Sequence, residues 1–191
     1  MRSTYANRGK PLETFIEFAN ERYRFYQVAF IEKQNTAFIP IRDRRGRIID
    51  VKVDHKATFD FMGRYKQYPI AIEAKETKQD TIRWDAVQPN QAKDLDFFCN
   101  QPGTIGLILV NFYPDTFYAV PWAFWKEAYD LRVRKRDKST SKRVFAFNEE
   151  WAIPKKFSAR EEDFLPSWLI STKDSSYGLN YLQNAEKYIA K

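Results

Sequence analysis

The stretch Tyr68-Pro-Ile-Ala-Ile-Glu-Ala-Lys75 decides the fold, because it has the length and apolar content of a strand within a sheet. Successive side chains of a strand point to opposite faces. One face then carries the apolar side chains Ile70, Ile72 and Ala74. The other face carries Glu73 and Lys75, so a carboxylate and an ammonium group project together from the end of an otherwise apolar strand.

The segments around this strand predict an α/β domain with a mixed β-sheet flanked by helices. Apolar residues at spacings of three and four indicate helices, whereas short apolar or β-branched runs bounded by turn residues indicate strands. We predict helices over residues 11–26, 88–100, 121–129 and 177–191. We predict strands over residues 28–31, 37–41, 57–61, 68–75, 106–112 and 115–120, with Met62-Gly63-Arg64 as the turn before Tyr68.

The composition excludes several kinds of site. The chain has 191 residues, which is enough for one ordinary core. Cys99 is the only cysteine and His55 the only histidine, so disulfides, thiolate clusters and multi-histidine zinc sites are excluded. Metal chemistry would have to use carboxylates, which favours Mg²⁺ or Mn²⁺. No apolar run has the length of a membrane span or a signal peptide, so we expect a cytoplasmic protein with no membrane partner.

The charge points to a polyanion as a partner, because the chain carries a net charge of +7. Residues 42–56 break the apolar pattern, and we interpret them as a projecting excursion, hairpin-like or partly helical. Their basic density favours contact with phosphates over a solvated loop. Residues 132–143 form a second basic run, for which a surface loop and a DNA contact are equally favoured.

Asp60, Glu73 and Lys75 form the arrangement that a metal-dependent nuclease needs. Asp60 lies on the strand before the turn, where strand pairing brings its carboxylate beside Glu73. Two carboxylates and the backbone carbonyl of Ala74 would hold Mg²⁺ at a phosphodiester. Lys75 would orient the attacking water and offset the charge that develops on the phosphate.

An acidic residue two positions before a lysine is not a specific signal by itself. The same pattern begins at Asp50, Asp54 and Glu76. Only the copy at Glu73 follows an apolar strand and has an acidic residue on the preceding strand. A surface ion pair, worth under about 1 kcal/mol, is the alternative interpretation.

Three motifs resemble those of the RecU-type Holliday-junction resolvases. They are Asn7-Arg-Gly-Lys-Pro-Leu-Glu13, Asp60-Phe-Met-Gly63 and Ile72-Glu-Ala-Lys-Glu-Thr77, in the order and spacing of that family. The similarity continues through Gln91, residues 106–112 and Phe124-Trp125, and it weakens after Tyr129. The chain departs from the family at Phe59, where threonine is common, and in a shorter basic N-terminal tail. The first departure concerns hydrogen bonding at the metal site, and the second concerns DNA affinity.

The resemblance implies the PD-(D/E)xK nuclease fold and an endonuclease that resolves Holliday junctions by metal-dependent phosphodiester hydrolysis. The cofactor would be Mg²⁺, with Mn²⁺ as the other candidate. The metal-binding residues would be Asp60, Glu73, Ala74 and Glu13. The catalytic residues would be Lys75, Glu73, Asp60 and Gln91, with Gln91 supporting the site or contacting the scissile strand.

The resemblance also implies a homodimer that nicks four-way junction DNA symmetrically. Each chain would be a single nuclease domain over residues 1–191, with a projecting stalk over residues 37–56 that enters the junction centre. The DNA-binding residues would be Arg8, Lys33, Arg42, Arg44, Arg45, Arg47, Lys52 and Lys56. Members of the family are associated with strand-exchange recombinases, so such a protein is a further expected partner.

Two other functions stay open at this point. One is a restriction-like or branched-DNA nuclease with the same fold and a different substrate. The other is a non-catalytic DNA-binding accessory protein of recombination, built on a nuclease that has lost its activity. The intact set of Asp60, Glu73 and Lys75 argues against the second, because a nuclease that loses its activity usually loses such residues first.

Overall fold

The computed structural model describes residues 10–35, 37–55, 57–172 and 176–190. Its helices are α1 (Lys10–Phe25), α2 (Pro89–Cys99) and α3 (Trp122–Tyr129). Its strands are β1 (Ala29–Lys33), β2 (Ala37–Arg42), β3 (Ile48–His55), β4 (Phe61–Tyr65), β5 (Tyr68–Thr77), β6 (Ile82–Arg83), β7 (Ile105–Phe112), β8 (Thr116–Pro121), β9 (Arg143–Ala146), β10 (Glu149–Ala152) and β11 (Ser158–Ala159). Within these residues, no helix is both long and apolar enough to cross a bilayer.

A five-stranded sheet in the order β1-β4-β5-β7-β8 forms the centre of the domain. β5 and β7 run parallel, and the other neighbouring pairs are antiparallel. Parallel neighbours need a long crossover connection, and α2 lies within the crossover from β5 to β7. The predicted mixed sheet flanked by helices is therefore confirmed.

Helices cover both faces of this sheet. On one face, the ring of Phe15 in α1 meets the ring of Phe117 in β8, with centroids 5.5 Å apart. On the other face, Gly106 of β7 lies against Cys99 of α2 and Trp122 of α3, so closely that a Cβ at this position would come within 2.3 Å of the Cys99 sulfur. Because both faces are covered, β7 is buried along its whole length.

Gly63 lies inside β4, which corrects the predicted turn at Met62-Gly63-Arg64. The chain turns at Lys66 and Gln67 instead, after β4 has paired with both β1 and β5. A Cβ at residue 63 would lie 2.0 Å from the carbonyl oxygen of Phe30 on β1. Glycine is thus required by the close approach of two strands, a reason that a sequence pattern does not distinguish from a turn.

The excursion between β1 and β4 is a β-hairpin. β2 and β3 pair antiparallel and form a sheet of their own, which decides between the hairpin and the helix that the sequence left open. The hairpin turn is fastened by Asp43, whose Oδ1 accepts hydrogen bonds from the backbone N–H groups of Arg45 and Arg47. Five apolar side chains of the pair are exposed: Ile39, Ile41, Ile48, Ile49 and Val51.

The predicted C-terminal helix over residues 177–191 is wrong, since the described part of that segment holds only a 3₁₀ turn at Ala185–Tyr188. Gly178 adopts φ 72°, which interrupts any helix at its start. Tertiary contacts then decide the conformation, because the Tyr23 hydroxyl of α1 donates to the side chain of Asn180 at 3.1 Å. The apolar residues of this segment pack against α1 without forming a helix of that length.

Candidate active site

Strand β5 holds Glu73 and Lys75 on the same face, as the alternation of the sequence predicts. Glu73 is completely buried, because β4 and β7 flank it and α2 covers its face of the sheet. The Nζ of Lys75 lies 2.6 Å from Oε1 of Glu73. Lys75 is near the edge of the covered region, with a side chain 15% exposed. The pair is therefore completely buried at Glu73 and partly open to solvent at Lys75.

Asp60 lies immediately before β4 and is held by both neighbouring strands. Its Oδ2 accepts a hydrogen bond of 2.8 Å from the backbone N–H of Ala74 on β5. Its carbonyl accepts one of 2.8 Å from the N–H of Gln34, which follows β1. Two backbone contacts thus fix the Asp60 carboxylate beside the residue that follows Glu73 in β5.

Gln91 joins the site from the first turn of α2. Its Nε2 donates to Oε1 of Glu73, and its Oε1 accepts from Nζ of Lys75 at 3.3 Å. The same Oε1 accepts from the backbone N–H of Gln88 at 2.9 Å, which closes a capping box at the start of the helix. One amide therefore supports both the helix terminus and the two charged side chains of β5.

Glu73 is the buried acidic group of this site, and its surroundings shift its pKa. Burial raises the pKa of Glu73 to about 7, Lys75 lowers it, and the charge of Asp60 together with a hydrogen bond to its side chain raises it again. The Asp60 carboxyl group is thus a direct neighbour of the Glu73 carboxyl group. Oε2 of Glu73 is buried and accepts no hydrogen bond from a donor among the described residues. A buried carboxylate oxygen without a partner is costly unless a cation or a proton satisfies it.

These residues fit a divalent cation. Two adjacent carboxylates offer the oxygen ligands that Mg²⁺ and Mn²⁺ prefer, and Glu73 has an oxygen free to bind one. Among the described residues, no three acidic, histidine or cysteine side chains converge on one point. The candidate set is therefore Asp60, Glu73 and the carbonyl of Ala74, and a magnesium ion that keeps several of its waters requires no more than this.

Glu13 and Lys33 lie together but apart from this contact network. Nζ of Lys33 is 2.8 Å from Oε2 of Glu13 and 2.5 Å from Oε1 of Glu17, one turn further along α1. Hydrogen bonds to Glu13 and then to Glu17 raise the pKa of Lys33. Within the described structure, no contact joins Glu13 to Asp60 or Glu73. A metal-binding role for Glu13 and a DNA-binding role for Lys33 stay predictions.

The hairpin carries most of the other predicted DNA-binding residues. Arg42 donates to the carbonyl of Gly46, and Arg47 forms an ion pair with Asp43 at 2.9 Å. Three side chains remain exposed without a described ion pair: Arg44, Arg45 and Lys52. Arg8 and Lys56 lie outside the described residues.

The sequence alone did not indicate the capping role of Gln88 or the packing of Phe59. Gln88 was not singled out, although a polar residue followed by proline and by glutamine at the third position is a recognisable helix start. Phe59, which stands where the family often has threonine, is buried and packs edge-on against Phe98 of α2, with centroids 5.5 Å apart. It therefore fastens α2 to the chain beside Asp60, and it adds no hydrogen bond to the site.

The chain is similar to several known proteins. Residues 7–160 match the family described as RecU, Recombination protein U. The Holliday junction resolvase RecU of Streptococcus pneumoniae (strain Taiwan19F-14) is 28% identical over 162 residues, covering 81% of this chain and 79% of that protein. The protein of the same name from Streptococcus mutans is 32% identical over 114 residues, covering 56% of this chain and 57% of its own. A solved Holliday junction resolvase, Hjc of Archaeoglobus fulgidus, aligns with a TM-score of 0.35 and 11% identity, over 56% of this chain and 76% of its own.

Proposed function

Because the chain belongs to the RecU family of recombination proteins, we propose that it is a structure-specific DNA endonuclease that resolves Holliday junctions. The observation that carries the proposal is the contact between Glu73, Lys75 and Gln91 beside the Asp60 carboxylate. This arrangement has the acidic and basic groups that phosphodiester hydrolysis requires. Curated relatives named Holliday junction resolvase RecU support the choice of a four-way junction as the substrate.

Asp60, Glu73 and the Ala74 carbonyl would hold Mg²⁺, with Mn²⁺ as an alternative. When bound, the ion would polarise the scissile phosphate and lower the pKa of a coordinated water. Lys75 supplies a fixed positive charge at the open end of the site, where it offsets negative charge that develops on the phosphate. Gln91 keeps Lys75 and Glu73 in place, because it hydrogen-bonds to both.

Symmetric resolution needs two sites. A four-way junction has two equivalent strands to cut, and one chain offers one such cluster. A homodimer with twofold symmetry would present two clusters to opposed strands. The β2–β3 hairpin would act as the stalk that enters the junction centre, with Arg44, Arg45 and Lys52 toward phosphates. A strand-exchange recombinase remains a partner expected only from the family.

The direct experiment is cleavage of a synthetic mobile four-way junction with Mg²⁺ or Mn²⁺. The expected result is paired nicks at symmetric positions near the crossover, lost in Glu73→Ala and lost when the metal is chelated. A flap and a linear duplex of matched sequence serve as competing substrates. Preferential cutting of either would favour the branched-DNA or restriction-like alternative. Tight junction binding with no nicking under any metal would favour the non-catalytic accessory protein.

A further inference from the structure

A second basic surface is connected to the active site through hydrogen bonds of Gln88, and we propose that it binds the sugar–phosphate backbone of a junction arm. We call it the arm cleft. It has a volume of about 320 Å³ and is lined by Arg83, Asp85, Arg132, Val133, Arg136 and Phe157. Lys138 lies at its margin, with Nζ 4.4 Å from the centre of the Phe157 ring. The inference rests on the proposed function, since it names how that same site holds its substrate.

The loop within residues 132–143, which carries Arg132 and Arg136 of the arm cleft, is held in one conformation by hydrogen bonds. Arg132 is completely buried, and its guanidinium group donates to the carbonyl oxygens of Asp137 at 2.6 Å, Thr140 at 3.1 Å and Pro154 at 2.7 Å. The Asp137 carboxylate in turn accepts from the backbone N–H of Ser139 at 2.7 Å. Charge-assisted hydrogen bonds from a buried guanidinium group to several backbone carbonyls are strong, and they restrict the conformation of the loop. These hydrogen bonds hold residues 132–140 in one conformation.

The two cations that line or border the arm cleft on this loop have no described counter-ion. Arg136 and Lys138 are exposed, and no described carboxylate lies within ion-pair distance of either. Arg83, by contrast, is neutralised by Asp85 at 2.6 Å. The cleft therefore presents an excess of positive charge on a rigid backbone. Such a surface suits the regularly spaced phosphates of DNA, which release condensed counter-ions when cations replace them.

The arm cleft is connected to the active site by a short chain of contacts. Asp85 of the cleft accepts, through its carbonyl, a hydrogen bond of 3.2 Å from the Gln88 side chain. The Gln88 backbone N–H donates to Gln91, which contacts Glu73 and Lys75. A junction arm that follows this path away from Lys75 would bring backbone phosphates to Arg136 and Lys138. Continuity with the cluster favours nucleic acid over an acidic protein segment as the occupant.

The test is the salt dependence of junction binding by the double variant Arg136→Gln/Lys138→Gln, measured without divalent metal so that no cleavage occurs. If each side chain neutralises one phosphate, the slope of log Kobs against log salt falls in magnitude by about 1.8. Affinity near 0.1 M salt should fall about 10- to 100-fold. Single-turnover cleavage should need a higher protein concentration to reach half of its maximal rate, because the two residues act on binding of the arm.

The matched control is Arg64→Gln/Lys187→Gln, which removes the same charge elsewhere. Arg64 pairs with Pro69 at the opposite end of β5, and Lys187 lies in the last 3₁₀ turn. This variant should keep most of the slope. Equal losses of slope in the two variants, or no loss of slope in Arg136→Gln/Lys138→Gln, would contradict the proposed DNA binding by the arm cleft. If the wild type cuts no junction but binds duplex DNA with a slope that only the first variant reduces, the resolvase proposal fails and the cleft stands.

Discussion

The ammonium group of Lys75 contacts Oε1 of Glu73 at 2.6 Å, whereas Oε2 of the same carboxylate is buried and has no partner. The lysine therefore compensates only part of the buried negative charge. Asp60 adds a second carboxyl group next to the first. An ordinary surface ion pair has neither property, since it is hydrated and carries no uncompensated oxygen. Oε2 of Glu76 is likewise buried without a described partner, but Glu76 forms no described ion pair with Lys78. A completely buried carboxylate with its own ion pair separates Glu73 from that pattern.

Replacing Lys75 should reduce cleavage without unfolding the protein. For Lys75→Ala we expect a loss of about 10²- to 10³-fold in the single-turnover rate, because a fixed charge near the phosphate is removed. Lys78→Ala is the matched control, since Lys78 follows Glu76 with the same spacing but is exposed and lies over the ring of Tyr113. Equal rates for the two variants would show that Lys75 has no catalytic role.

Metal binding should be visible as thermal stabilisation. At about 100 times its dissociation constant, a ligand stabilises the folded state by about 2.7 kcal/mol, so Mn²⁺ should raise the melting temperature by several degrees. Glu73→Gln should abolish this shift, because it removes the charge of the proposed ligand. Glu76→Gln, on the opposite face of β5, should retain it. A shift of full size in Glu73→Gln would place the metal elsewhere.

Gly63→Ala should destabilise the domain. The added Cβ would lie 2.0 Å from the Phe30 carbonyl oxygen and 2.6 Å from the Ile31 Cα, and neither backbone atom can move alone. We expect a loss of about 1–3 kcal/mol in the free energy of unfolding, measured with urea. The neighbouring variant Met62→Ala, at a side chain 38% exposed, should cost under about 1 kcal/mol. A neutral Gly63→Ala would contradict the strand spacing.

The Cys99 thiol should react slowly in the folded protein. Burial first, and then Asp96, raise its pKa to about 12, so the thiolate fraction at neutral pH is about 10³-fold below that of a free cysteine. Alkylation at pH 7.5 should be slow until denaturant is added. Rapid modification of the native protein would show that α2 opens.

The same shift has a consequence for alkaline stability. The folded state binds the thiol proton more tightly than the unfolded state, whose pKa is near the usual 9.0. The stabilisation is fully present below that value and is lost as the pH rises toward 12. Cys99→Ser should change this alkaline limb of a pH–stability curve and leave the neutral range with the same slope.

Arg132→Met should destabilise the loop that carries the arm cleft. The substitution keeps most of the side-chain volume but leaves the carbonyls of Asp137 and Thr140 without their donor. Each unsatisfied buried acceptor costs about 1–3 kcal/mol, so we expect a total loss of roughly 3 kcal/mol or more. Limited proteolysis should then cut between residues 135 and 142. Arg134→Met, at an exposed arginine paired with Asp130, is the control and should resist cleavage.

The sequence predicted the centre of the fold because its signals there are local. The alternation in residues 68–75 places Glu73 and Lys75 correctly, since a strand's period of two follows from backbone geometry. The helices at α1, α2 and α3 begin and end within one or two residues of the prediction. Asp60 was placed near Glu73 by the expected pairing of neighbouring strands, whereas Gln91 was placed there only with the help of the family motifs, because its contacts with β5 span a long separation in sequence.

The errors arise where tertiary contacts override local preference. Glycine is typical of turns, but Gly63 lies within β4, where the close approach of β1 leaves no room for a side chain. Residues 177–190 have helical spacing, yet hydrogen bonds to Tyr23 of α1 fix another path. The fate of residues 132–143 also depended on a distant partner, since the Arg132 guanidinium reaches as far as Pro154. No periodicity in the sequence encodes such contacts.

The side-chain amide of Gln91 both closes the capping box of α2 and hydrogen-bonds to Glu73 and Lys75 of β5. Gln91 accepts hydrogen bonds from a backbone N–H at the start of the helix and from an ammonium group, and it donates one to a carboxylate. Glutamate would keep the acceptor but set a second negative charge against Glu73, and leucine would keep neither function. Folding and chemistry therefore constrain the same side chain, so a random substitution there carries both a structural and an enzymatic defect. Only paired measurements of helix stability and turnover would separate them.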